Sequence, residues 1–555
     1  MSMKMATESG KRLIIDPVTR IEGHLKIEVE LEQDRVKNAW LSTQLFRGIE
    51  PILKGRPPED APLFTQRTCG VCTNTHALTS IRAIENAIDL TVPPLAQLIR
   101  HLILSALVVH DHLVHFYHLH GMDWIDFAAA TKADPAAAGK IVGQTSARGD
   151  NPADLYIVQK RLKDFVASGQ LGFLENAYFL GGNAAYRMSP EENLIMAAHY
   201  FEGLRVQLEL GRAMALFAGK NPHAQSLVVG GVTCYDSLKP DVIAHFRQIW
   251  EKSMEFAENA MLPDVKLMAK RFPEALSYGR TTNFFAFPDF HDPEKGNDPY
   301  FRSGVLWGND LTKHDEMDIG LIDEHVAHSW YVGNEARKPY EGATEPNYTN
   351  YEDKEKYSWA KAPRYKGEAM ETGPLARRAL AYARKEKETR ALLDSVFKEI
   401  GMKPDQLFST MGRTICRVVE TNLLLGRMEG WINDTEARIK AGDDTIYKKW
   451  TMPDKAVKGV GLCCVTRGGL SHWINIKGGK IENYQMVVPS TWNLGPRCAN
   501  GKLSAGEQSL MGCPCPDPER PVEILRTIHS FDPCIACAVH LVDARGRTIR
   551  TFTAR

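Results

Sequence analysis

Near the start of the chain stands Arg67-Thr68-Cys69-Gly70-Val71-Cys72, and near its end Asp532-Pro533-Cys534-Ile535-Ala536-Cys537-Ala538-Val539-His540. Each carries a C-x-x-C step, in which a tight turn or helix end brings two sulfurs to one side, within reach of a single ion. With 11 cysteines in 555 positions, chance predicts about 0.2 such pairs, so two of them form a modest excess. Four soft thiolates suit zinc, an iron-sulfur cluster or another thiophilic metal, and the ligands by themselves leave that choice open. Two separate pairs of buried or disulfide-capable cysteines are the plainer alternative.

Outward from these pairs, helical patterns dominate. Pro93-Pro94 opens a helix that places Leu95, Leu98, Ile99, Leu102, Ile103, Ala106, Val109 and Leu113 on one face. Further 3.6-residue periods cover about 152–167, 190–218, 240–261, 376–400 and 412–441. Leu25, Ile27, Val29 and Leu31 alternate with polar residues as a half-buried strand, with 36–43 returning beside it after a turn at 32–35. Short strand-like runs fill 457–488, and Pro521 opens a last helix. Residues 289–374, rich in Asp, Gly, Pro, Tyr and Trp and without sustained period, predict a surface insertion with short strands.

Composition narrows the function classes. Hydrophobic residues at 43% and charged residues at 25% describe a globular chain with material for a large core. Lys+Arg 68 balances Asp+Glu 68, so no basic field is available to hold a nucleic acid. Apolar runs such as 102–109 and 227–232 fall short of the ~20 residues a membrane span needs. The first residues lack the apolar stretch of a secretory signal, so export is expected to depend on a partner that carries one. There is no phosphate-binding G-x-x-x-x-G-K-S/T loop, and Gly459-Val460-Gly461 lacks the third glycine of a dinucleotide fingerprint.

The flanks of the cysteine pairs carry a resemblance. Arg20-Ile21-Glu22-Gly23-His24, Arg47-Gly48-Ile49-Glu50, the Cys69/Cys72 stretch, Thr466-Arg467-Gly468, Pro489-Ser490-Thr491-Trp492-Asn493 and the Cys534/Cys537 stretch occur in one order over nearly the whole chain. In this set the sequence closely resembles the large subunit of nickel-iron hydrogenases, most of all the respiratory, membrane-bound uptake group. The implied fold is α+β and predominantly helical, a long central helix bundle with small peripheral β-sheets. The implied organisation is an N-terminal β-hairpin region at about 16–50, a helical core at about 78–288 and 375–445, the insertion at about 289–374 and a metal-site region at about 457–540. Residues 541–555 would be an extension that a dedicated protease removes after nickel insertion.

The resemblance implies reversible, heterolytic oxidation of hydrogen. Cys69 and Cys534 would be terminal nickel ligands, and Cys72 and Cys537 would bridge nickel to an iron carrying carbon monoxide and cyanide. Glu22 would take the proton from Cys534. Arg467 would hold its fixed positive fork above the open metal position, steadied by Asp111 and Asp532. His76 would donate to a bridging sulfur. Glu50, the backbone carbonyl of Met486 and His540 would bind magnesium. Threonine at 466 departs from the proline expected before this arginine. Electrons would leave through an iron-sulfur small subunit, the clusters lying only in that partner, towards a membrane cytochrome b. The pair would sit in the periplasm against the membrane, after assembly by nickel-insertion proteins and the maturation protease.

Taken singly, these residues have plainer readings. Glu22 and Asp111 would be surface charges, Asp532 an N-cap, and His76 a satisfied core histidine. Cys234 and Cys416 are expected as buried apolar groups, and Cys463, Cys464, Cys498, Cys513 and Cys515 match no ligand position. The histidines at 110, 112, 115, 118 and 120 point in different directions at helical spacing, so interface and core roles are expected. Rival functions are a structural zinc scaffold with four cysteine ligands and a hydrogen sensor on the same fold; a quinone-reducing respiratory subunit is disfavoured by the four cysteines.

Overall fold

The computed structural model describes residues 12–145, 152–169, 184–349 and 355–538. Helix takes about half of this, and the sheets are small: two of three strands and three of two among the described residues. The α+β, mainly helical expectation agrees.

The centre of the molecule is the Pro94–Leu113 helix, continued by a π-helical turn at Val114–His120. Proline at its first position fits because that turn has no use for the missing N–H. The predicted apolar face is buried, and so are Leu104, Leu107 and Val108 on the remaining sides. A helix apolar all round needs neighbours all round. Pro190–Ala218 and Thr410–Lys440 pack against it. The 30-residue helix from Pro94 to Asp123 is long and apolar enough for a bilayer, yet 78% of its most apolar window is buried within the protein.

At the N-terminal end, Leu13–Ile15, Leu25–Glu32 and Arg35–Thr43 form an antiparallel meander, with Leu25, Ile27 and Val29 fully buried. Gln33, at φ 59°, turns the chain between the last two strands. At the C-terminal end Val457–Cys463, Leu470–Lys477 and Lys480–Val487 form a second meander. It lies on Thr73–Ala87, the helix that begins directly after Cys72. Gly459 and Gly461 allow that approach, because a Cβ on either would collide with the backbone of Ala83 or Thr79.

Two expectations are corrected. The pattern read as one helix over 376–400 is two helices, Pro374–Ala383 and Lys387–Ile400. Lys385 takes φ 62° and the Glu386 amide reaches back to the Ala381 carbonyl at 3.0 Å, a C-terminal cap that periodicity does not reveal. The 289–374 segment has the expected short strands, Gly304–Leu306, Ile322–His325 and Ala362–Tyr365, but it is not confined to the surface. Trp330, Tyr331, Trp359 and Ala360 bury with Phe46 in a separate cluster, in which Phe46 stacks on Trp359 at 4.9 Å. Aromatic burial of this kind needs no sequence period. The end of the segment enters the core, where Glu371 accepts two bonds from Arg413 at 2.8 Å.

Candidate metal centre

The stretches around Glu22 and Cys534 meet through backbone. The Glu22 amide donates to the Pro533 carbonyl at 3.2 Å and the Ile535 amide to the Glu22 carbonyl at 2.6 Å, pairing Glu22 with Cys534 in parallel. Gly23 makes this possible: its φ is +89°, and a Cβ there would stand 2.6 Å from the Ala536 nitrogen. Upstream, Arg20 pairs with buried Asp123 and donates to the Leu119 carbonyl at 2.6 Å, while His529 meets the other Asp123 oxygen at 2.6 Å. The Arg-Ile-Glu stretch is thus pinned to the π-helical turn and to the last long helix.

The pinning brings sulfurs together. Cys69 and Cys534 Sγ are 3.3 Å apart, and Cys72 and Cys534 Sγ 3.9 Å. All three are buried, with the sulfurs within 4.8 Å of one another. The amides of Val71 and Cys72 both donate to Cys69 Sγ at 3.2 Å, and Cys72 caps the Thr73–Ala87 helix, where the dipole favours negative charge. Such donors suit thiolates. The Cys534 amide donates to the Ser490 hydroxyl oxygen at 3.0 Å, which ties this strand to the Pro489–Leu494 helix. Cys537 lies on the Ile535–Ala538 turn, and its side chain falls outside the described residues.

Glu22, half-buried, places Oε2 3.5 Å from Cys534 Sγ and 3.0 Å from the Ala536 amide. Burial, reinforced by the negative charge of Cys69, raises its pKa to about 7. Arg467 donates through Nε to the Asp532 carbonyl at 3.1 Å and pairs Nη2 with Asp532 Oδ1 at 3.1 Å. Its Nη1 stands 3.5 Å from Asp111 Oδ2 without a hydrogen bond. Burial works against its charge, but Asp532, Cys534, Asp111 and Cys72 outweigh that and hold the guanidinium firmly protonated. Arg467 Nη1 and Asp532 Oδ2 are buried polar atoms with no hydrogen-bond partner among the described residues. A group seated between the sulfurs and the arginine would complete them, so these residues fit a thiolate-bound metal centre.

His76 Nδ1 lies 3.1 Å from His472 Nε2, whose Nδ1 meets the Tyr484 hydroxyl at 2.7 Å. Burial lowers the pKa of His76 to about 4, so its ring is neutral at pH 7. At the proposed magnesium position, Glu50 Oε1 accepts the Met486 amide at 2.8 Å, while Thr344 and Lys361 approach Oε2. His540 and the extension 541–555 lie outside the described residues.

Several contributors carry no local signal. Ser490, in the Pro489–Asn493 motif, has no metal-binding side chain to mark it, and His472, Tyr484 and Lys361 reach the site through sheet register or packing. The plain readings of Glu22 and Asp111 as surface charges do not hold: Asp111 is fully buried beneath Arg467 and Thr466. The histidine tract has the expected scattered roles, with His112 on Glu420, His115 on the His529 carbonyl and His118 on the Tyr200 carbonyl. The unassigned cysteines 463, 464, 498, 513 and 515 are buried.

The family model described as nickel-dependent hydrogenase matches residues 47–540. The chain belongs to the nickel-dependent hydrogenase family. It is 43% identical to the uptake hydrogenase large subunit of Rhizobium leguminosarum bv. viciae, over 99% of this chain and 98% of that one. It is 41% identical to the quinone-reactive Ni/Fe-hydrogenase large chain of Wolinella succinogenes, over 98% of each. Among solved structures, the Ni-Fe-Se hydrogenase of D. vulgaris Hildenborough in the reduced state matches with a TM-score of 0.78 at 31% identity, over 96% of this chain and 100% of that one. The protein is accordingly a nickel-iron hydrogenase large subunit, an enzyme of hydrogen oxidation at a nickel-iron centre. Large subunits of this kind pair with a small subunit. Neither the zinc scaffold nor the sensor is favoured by these relatives.

Proposed function

We propose that Cys69, Cys72, Cys534 and Cys537 would hold the nickel-iron pair, whose iron would carry carbon monoxide and cyanide. The observation that carries this reading is the convergence of Cys69, Cys72 and Cys534, from opposite ends of the chain, with Glu22 and Arg467 beside them. When bound, the metal pair polarises dihydrogen and takes up its two electrons.

The chain's own residues manage the proton and the charge. A proton on Cys534 Sγ has Glu22 Oε2 as its acceptor at 3.5 Å, a distance that small thermal adjustment closes. With a pKa raised to about 7, Glu22 can both take and release that proton near neutrality. Arg467, anchored by Asp532 and near Asp111, supplies fixed positive charge in a dry site, where it acts strongly. The neutral His76 ring is held by His472 through Nδ1, and its place beside the cysteines supports a role as donor to a sulfur of the centre.

Glu50, Met486 and His540 would form a magnesium site that ties the early helix Ile49–Leu53 to the C-terminal segment. Cleavage after His540 by the maturation protease would follow nickel insertion. The names of the relatives as uptake and quinone-reactive enzymes support membrane association; attachment through the small subunit and a cytochrome b, on the periplasmic side, is what the family resemblance implies. Infrared spectroscopy and elemental analysis of the processed heterodimer test the centre. Carbon monoxide and cyanide stretches with one nickel per heterodimer, and iron beyond that of the small subunit's clusters, are expected, and zinc in place of nickel would overturn it.

A further inference from the structure

Arg377, Arg413 and Arg417 are buried on two neighbouring helices, Pro374–Ala383 and Thr410–Lys440. Two of them are held by carboxylates. Arg413 bonds both oxygens of Glu371 at 2.8 Å, and Arg377 both oxygens of Glu420 at 2.8 and 2.5 Å. Arg417, one turn beyond Arg413 and 1% exposed, has no such partner. Its single hydrogen bond among the described residues runs from Nη2 to the Ser530 carbonyl at 3.1 Å, and its Nε and Nη1 are buried without a partner there. A guanidinium taken out of water is unfavourable unless a counter-charge and acceptors compensate it.

The surroundings leave one candidate for that counter-charge. Glu420 is taken by Arg377 and His112, and Asp123 by Arg20 and His529. His115 and His120 are kept neutral by burial. Asp532 remains, and it is the charge that most favours the protonated form of Arg417, whose pKa burial pulls down to about 10. The bond to Ser530, two residues before Asp532, holds Arg417 against the segment that carries Asp532 and Cys534. Asp532 Oδ1 pairs with Arg467, whereas Oδ2 is buried with no hydrogen-bond partner among the described residues. A carboxylate oxygen has two acceptor positions, so Oδ2 can meet a group at the metal centre and still receive a second donor. Unpartnered buried donors and an unpartnered buried acceptor, neighbours without a direct bond, are what an ordered internal water completes.

We propose that Arg417 is a positioning residue for hydrogen oxidation: a bound water joins its guanidinium to Asp532 Oδ2, so that Arg417 steadies the carboxylate that anchors Arg467. The inference rests on the reading that Arg467 and Asp532 act at the metal centre. It accounts for a buried charge that contributes little to stability. An apolar side chain of similar length would pack in its place at no cost, but it would leave Asp532 Oδ2 without its second support.

The test uses the processed heterodimer carrying Arg417→Met, which keeps the stem and removes the charge, alone and combined with Asp532→Asn. A crystal structure of the parent is expected to show a water in hydrogen-bond contact with both Arg417 and Asp532 Oδ2, and Arg417→Met is expected to lose it. In that variant kcat is expected to fall about tenfold with KM for hydrogen little changed. Its melting temperature is expected to stay at or above the parental one, because the charge removed has no direct counterion. The double variant is expected to match Asp532→Asn alone within about twofold in kcat, since Arg417 acts through that carboxylate. Should Arg417→Met fail to assemble, Arg417→Gln removes the charge while its amide can still meet the Ser530 carbonyl. No water between the two groups, a lower melting temperature with parental kcat, or losses that multiply in the double variant overturn the proposal. Asp532→Asn separates the two readings: full turnover there refutes the role of Asp532 at the centre, whereas its loss beside an unaffected Arg417→Met refutes only the role of Arg417.

Discussion

At the scale of single residues, the centre depends on groups whose surroundings change their chemistry. Glu22 in water would be an ordinary carboxylate. Burial and the charge of Cys69 raise its pKa to about 7, and the Ala536 amide holds one oxygen towards Cys534. Glu22→Gln keeps the shape and removes the proton site, so turnover should fall by about 10² to 10⁴-fold. Nickel and iron content should stay at parental level. Hydrogen-uptake assays with metal analysis check this, and an active Gln variant would send the proton elsewhere. Cys534→Ser should lose nickel itself, because a hydroxyl is a poor ligand for a thiophilic ion; elemental analysis of the purified variant reads it directly.

The elements behind the site are fastened by buried charge. Glu420, on the Thr410–Lys440 helix, accepts bidentate bonds from Arg377 at 2.8 and 2.5 Å and one from His112 at 3.1 Å. Burial pushes its pKa up, but the Arg377 charge and hydrogen bonds, with His112 and Arg378, win and hold it well below the ordinary 4.5. Glu420→Gln leaves Arg377 buried and uncompensated, which should cost about 3–5 kcal/mol at pH 7. The sign with pH follows from the depressed value: the stabilisation is present above pH 4.5 and is lost as pH falls through the folded-state pKa. Melting curves of parent and variant heterodimers should therefore stand furthest apart near neutrality and converge in acid. A constant gap would rule out ionised Glu420 as its source.

For the molecule as a whole, the first and last described segments form one structure. Backbone bonds at Glu22 and Ile535, and the Arg20–Asp123–His529 set, join the first strands to the last helices. Hydrogen exchange should then protect the Glu22 and Ile535 amides to the same degree, opening together. Arg20→Ala should loosen both and lower nickel retention on chelator challenge. Protection lost at Glu22 alone would mean that the two ends are fastened elsewhere.

Much of this architecture was legible in the sequence because it is periodic or local. Proline-headed helices at 94, 152, 190 and 240, the alternating strand from Leu25 and the C-x-x-C pairs all declare themselves within a few residues. The cap at Lys385 and the aromatic cluster of Trp330 and Trp359 do not, since a left-handed residue and an irregular buried loop leave no period. At the site, the motifs named Glu22, Arg467 and the cysteines by resemblance. The links from Thr466 to Asp111, from His76 through His472 to Tyr484, and from Ser490 to Cys534 join residues far apart in sequence. Spacing and chemical type are written along the chain, and they determined which residues could bind metal and what class of reaction they serve. Which oxygen receives which donor, and which charges go dry, depends on distances across the fold, and only the tertiary structure decided them.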